Sequence, residues 1–93
     1  MTWDDVVDIA GGLPEVEVST SYRTPALKVR KELFARLRSD AAFFTTPHYD
    51  GHGSILVDLD RIAPDQLAEL IEEAWRHRAP ARLRDAYDST RNG

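Results

Sequence analysis

The sequence predicts a small fold that mixes α-helices with β-strands, and three observations carry that reading. Apolar residues in 3–10, and again in 67–75, recur at helical spacing. Those in 15–21 and 54–59 alternate as strands do. A chain of 93 residues has room for one modest core, hence one domain spanning residues 1–93.

Composition narrows the class. The chain is 42% hydrophobic and 30% charged, with no cysteine. That is the make-up of a water-soluble globular protein, and it excludes disulfides, thiolate nucleophiles and cysteine-based zinc sites. No apolar run approaches the roughly 20 residues of a membrane span. The opening MTWDD is acidic and helix-like, unlike a secretory leader. A cytoplasmic protein of bacterial type is expected.

The net charge of −4 hides a segregation. Residues 1–22 carry five acids and no base, while residues 23–38 carry Arg23, Lys28, Arg30, Lys31, Arg36 and Arg38 against Glu32 alone. Residues 39–75 are acidic apart from Arg61, and residues 76–84 hold Arg76, Arg78, Arg82 and Arg84 with no acid. Such asymmetry points to a polyanionic or acidic partner. The plainer reading is that basic and acidic stretches pair within the molecule.

Each element has its local cause. Thr2 caps a first helix, and Asp4 and Asp5 suit its positive end. Trp3, Val6, Val7 and Ala10 form one face, and Gly11-Gly12 ends the helix. Glu15 to Ser21 alternates as a short strand. Ala26 to Arg38 is ambiguous: Leu27, Arg30, Phe34 and Leu37 approximate a helix stripe, whereas Leu27/Val29 and Leu33/Ala35/Leu37 fit two strands around a Lys31-Glu32 turn. Phe43 to Tyr49 is rich in strand formers, and Ser54 to Leu59 is a clear strand. Pro64 opens a helix whose buried stripe is Leu67, Leu70, Ile71, Ala74 and Trp75. Pro80 ends or kinks it, Leu83 and Tyr87 suggest a short last helix, and residues 88–93 are expected to fray.

Three blocks carry a family resemblance: STSYRTPALKVRKELFARL, FFTTPHYDGHGSILVDLD and ELIEEAWRHRAPARL. In this order they resemble the signature blocks of the MmcQ/YjbR family, and the opening helix followed by LPEVEVS is similar to that family's start. The resemblance implies an α+β fold of YjbR/frataxin-like type, an antiparallel sheet with the N-terminal and C-terminal helices packed on one face. It makes Ala26 to Arg38 a β-hairpin. It marks Thr24, Pro25, Pro47, His48 and Tyr49 as family-motif loop residues. Members are commonly labelled DNA-binding because the sheet resembles a double wing. They also carry a further strand and a short helix between the FARL strand and the FFTTPHY block. Here Asp40 runs directly into Ala41, so an ordinary continuation is not expected at that junction.

Each candidate site has a structural alternative. His48 and His52 have the spacing of paired metal ligands, with Asp50 between them, but Pro47, Gly51 and Gly53 exclude a helix there. The stretch reads better as a rigid loop that positions a strand. Thr24 can meet an anion but more simply closes a turn. Asp4, Asp5 and Asp8 resemble the acidic ridge by which frataxins hold iron, though acids in a first helical turn are favourable without a metal. Ser19, Ser21, Ser54 and Thr45 lack a nucleophile elbow or a base with an orienting partner. Gly11-Gly12 opens no phosphate loop. No catalytic residue, cofactor or metal is expected.

The function expected from this reading is a small non-enzymatic binding module. Its basic hairpin would contact DNA weakly and without sequence preference, through Arg23, Lys28, Arg30, Lys31, Arg36 and Arg38. The alternative is a protein- or ligand-interaction module with no nucleic-acid role, its hairpin docking an acidic partner. A metal-binding acidic ridge comes third. A net negative charge and a pI near 5.2 weigh against a dedicated nucleic-acid binder.

Overall fold

Three helices and five strands make up the chain in a computed structural model that describes residues 1–21, 23–39, 41–45 and 53–92. Helix α1 (Trp3–Ala10) is followed by strands β1 (Val16–Ser21), β2 (Thr24–Val29), β3 (Glu32–Arg38), β4 (Ala41–Thr45) and β5 (Ser54–Asp58). Helices α2 (Pro64–Arg78) and α3 (Ala81–Asn92) complete it. The strands form one antiparallel meander in chain order. The expected α+β class therefore stands.

The sheet is sided. Register places Val16 opposite Val29, Leu27 opposite Ala35, Ala35 opposite Phe44, and Ala42 between Leu37 and Val57. Opposed residues share a face, so these apolar side chains line one side. Leu67, Ile71, Ala74 and Trp75 of α2 and Val6 and Ala10 of α1 join Leu27, Val29, Ala35, Ala42 and Phe44 in one buried cluster, with Val16, Leu37 and Val57 partly buried at its margin. A bulge in β3, where Leu27 faces Ala35 but Lys28 faces Leu33, leaves Phe34 as the extra residue, also buried.

Trp75 holds the layers together. It is fully buried, and its indole N–H donates to the Pro14 carbonyl at 3.1 Å. Its ring meets Tyr87 of α3 edge-on at 5.3 Å, so one residue ties α2 to α3 and to the chain entering β1. The Thr45 hydroxyl, buried at the end of β4, donates to the Ala74 carbonyl at 3.2 Å.

Four expectations change in detail. The hairpin of 26–38 forms, but it turns at Arg30-Lys31, one residue before the expected Lys31-Glu32. Both turn residues have positive φ, 51° and 68°, as the two-residue primed turns that match strand twist require. Leu70 is only partly buried, at the margin of the cluster. The last strand ends at Asp58, with Leu59 buried beyond it. Helix α3 continues to Asn92, through the stretch 88–93 expected to fray.

The junction after β3 is resolved in part. Asp40 lies outside the described residues, but Arg38 and Ala41 are register partners. Ser39, next to Arg38, has φ 54°, a left-handed conformation suited to a tight turn. Ala41 to Thr45 takes the place beside β3, and the described residues form a five-stranded sheet.

Trp75→Ala should cost about 3–5 kcal/mol in urea unfolding, and Leu70→Ala distinctly less. A Trp75→Ala protein as stable as the wild type would contradict this packing.

Candidate nucleic-acid interface

Alternation and register decide where the basic hairpin points. In β2, Ala26 and Lys28 lie on the side away from Leu27 and Val29. Arg36 is opposite Ala26 on one flank and Phe43 on the other, Arg38 is opposite Ala41, and Phe43 is opposite Leu56. Lys28, Arg36, Arg38, Phe43 and Leu56 therefore share the face of the sheet that the helices leave open. The guanidinium of Arg36 sits 5.0 Å from the centre of the Phe43 ring and that of Arg38 5.9 Å, within reach for cation–π attraction. Glu17, opposite Lys28, and Asp58, opposite Ala41, temper the positive charge of this face.

Two open cavities lie on this face, one of them lined by Phe43. One, of about 250 Å³, is lined by Leu33, Arg36, Thr45 and Ser54 among others. Towards Arg38 a second, of about 480 Å³, is bounded by Ala41, Leu56 and Asp58. The face is thus an aromatic residue with cationic groups over it, a mainly apolar hollow beside it and a mixed polar one beyond.

The six expected bases do not act together. Arg30 does not share the face of Lys28: it stands in the β2–β3 turn, and Glu15 holds its guanidinium through two contacts of 2.9 and 3.0 Å. Lys31 is exposed in the same turn. Arg23, with φ 64°, occupies the β1–β2 turn at the opposite end of the strands, the end where Arg38 also lies. Arg36 and Arg38, two apart in β3, share a face. Thr24 closes a turn, its hydroxyl donating to the Ser21 carbonyl at 2.6 Å. Pro25 stands outside the β2–β3 ladder, which begins at Ala26. Pro47, His48, Tyr49, Asp50 and His52 lie outside the described residues.

The second basic stretch is largely turned inward. Arg76 is bound by Asp88 and Glu72 and lies over the Tyr87 ring at 5.5 Å. The Asp88 carboxylate raises its pKa further. Arg78 reaches Glu32 at 4.0 Å, and the Nε–H groups of Arg78 and Arg84 are buried with no hydrogen-bond partner among the described residues.

The acidic first helix uses one of its acids for folding. Asp5 accepts from the Thr2 backbone N–H at 2.8 Å, while the Thr2 hydroxyl accepts from the Asp5 N–H at 3.3 Å. This reciprocal cap satisfies backbone donors at the helix start. Among the described residues, no group of three His, Asp or Glu side chains is placed to hold a metal ion. No helix among them is long and apolar enough to cross a membrane.

Sequence reasoning missed Phe43 as a partner of the arginines and Glu15 as the counter-ion of Arg30. Both pairings join strands or loops distant in sequence. Only the register brings them together, and no local motif announces them.

Comparison with known proteins finds uncharacterized mycobacterial relatives. The uncharacterized protein Rv2570 of Mycobacterium tuberculosis and the uncharacterized protein Mb2600 of Mycobacterium bovis are each 30% identical to the chain over 122 aligned positions. The match takes in 92% of this chain and 95% of each relative. Because 122 exceeds the chain's 93 residues, the relatives carry residues inside the matched span that this chain lacks. No family model matches the sequence, and no solved structure gives a significant match.

The cap has a pH signature. Its backbone hydrogen bond from Thr2, and then the Thr2 hydroxyl, hold the Asp5 carboxyl below its ordinary value of 3.8. A depressed folded-state pKa stabilises above the unfolded value and loses that contribution as pH falls through the folded one. Asp5→Ala should therefore lower the Tm at pH 7, and the gap to wild type should narrow as pH drops below the carboxylate range. A gap independent of pH would contradict the charged cap.

Proposed function

We propose that this chain, which belongs to the same family as the mycobacterial proteins Rv2570 and Mb2600, is a small YjbR-like binding module without enzymatic activity that contacts DNA weakly through the open face of its sheet. The observation that carries the reading is the pair of guanidinium groups of Arg36 and Arg38 over Phe43 on the helix-free face. Lys28 and, at the sheet's end, Arg23 extend the cationic surface. Phosphate contact by such side chains is electrostatic and carries no sequence information. Nothing on this face is shaped like a recognition helix entering a groove. Lys28, Arg36 and Arg38 form the core of this contact, while Arg30 is neutralised by Glu15.

A second reading is favoured by the net charge of −4. An overall acidic molecule repels nucleic acid at long range, and on this reading the same cationic face docks an acidic protein segment. Here Arg36 and Arg38 would pair with carboxylates, and Phe43 would supply the apolar anchor.

Fluorescence anisotropy with a labelled duplex separates the two. Binding is expected at low salt, weakening to dissociation constants of about 10⁻⁶–10⁻⁴ M at physiological salt, as non-specific contacts do. Lys28→Glu/Arg36→Glu should abolish it, and Arg30→Glu should leave it nearly unchanged. No binding at low salt, or binding indifferent to the reversal at 28 and 36, would remove the DNA reading and leave the acidic protein partner.

A further inference from the structure

The outer edge of β5 is the other unusual surface. Among the described residues β5 has a single strand neighbour, β4, so its outward backbone N–H and C=O groups are offered to a further strand. Edges of this kind are normally blunted by lysine, proline or a bulge. Strand β5 reads Ser-Ile-Leu-Val-Asp, with no lysine and no proline, and its register with β4 is unbroken. Ile55 and Leu56 are 40% and 50% exposed. They point to opposite faces, so an added strand would find apolar contact on both.

We propose that a second copy of this chain docks on that edge, antiparallel, with a two-fold axis through Leu56. The sequence of β5 is symmetric in polarity about this residue. Self-pairing sets Leu56 against Leu56, Ile55 against Val57, and Ser54 against Asp58. Apolar residues meet apolar ones on each face, and the only carboxylate meets a hydroxyl rather than its own copy. Like charges directly opposed would oppose such pairing, and none are. The other edge, β1, lacks this match: antiparallel pairing about its centre sets Val18 against Ser19 and Val16 against Ser21. A closed two-fold contact of identical patches is the commonest way for a chain to self-associate. The dimer continues one sheet across both copies and places the two Phe43–arginine ridges on the same side of it.

The absence of cysteine makes a direct test available. In an antiparallel pair, opposed Cα atoms lie about 4.5–5.5 Å apart, within disulfide range. Leu56→Cys should therefore form a disulfide-linked dimer on mild oxidation, while Val18→Cys on the other edge should not. By sedimentation velocity the wild type should dimerise with rising concentration. Leu56→Lys, at a half-exposed site outside the core, should weaken the dimer by at least about tenfold, since it opposes two ammonium groups, and should retain the wild-type circular-dichroism melt. A wild type that stays monomeric at every concentration overturns the proposal. So does a dimer that Leu56→Lys leaves intact, or one in which Leu56→Cys fails to cross-link.

Discussion

Helix α2 lies across β3 and β4, and the rest of the molecule is arranged around that contact. Leu67, Ile71, Ala74 and Trp75 are all fully buried there with Phe34, Ala35, Ala42 and Phe44. Trp75 adds directed contacts to Pro14 and Tyr87, which fix α3 and the entry to β1. Because all three helices serve one side of the sheet, the opposite side keeps its polar and aromatic residues in solvent. The same burial that stabilises the domain thus creates the surface on which Arg36, Arg38 and Phe43 meet.

A second constraint is length. The relatives carry residues that this chain lacks, and the chain closes its sheet without them. The pairing of Arg38 with Ala41 sets Ala41–Thr45 directly against β3. Ala42 and Phe44 then face the core while Phe43 faces outward under the arginines. A shift of one residue in this register would exchange those roles. The register of β3 and β4 therefore sets both the core and the candidate site.

Much of this was legible in the residues. The cap at Thr2, the Pro64 start, the stripe of α2 and the alternation in β5 each follow from local chemistry. The hairpin of 26–38 was not, because Leu27, Phe34 and Leu37 satisfy a helical period as well as two strands. Family resemblance chose correctly between them. The turn slipped by one residue because Arg30-Lys31 takes a left-handed conformation without the glycine or asparagine that normally signals it. Arg30 was counted with Lys28 because its counter-ion, Glu15, is distant in sequence. The candidate site was half visible: its charges could be counted, but the ring beneath them required the register. The loop holding His48 and Tyr49 lies outside the described residues.

Native-state hydrogen exchange tests the central claim, that Ala41–Thr45 is an inner strand between β3 and β5. The hydrogen-bonded amides of this segment should exchange as slowly as those of β3 and of the centre of α2, through global unfolding. Fast exchange across residues 41–45, with β3 still protected, would show that the segment is no inner strand and would undo the register on which both the core and the Phe43 site depend.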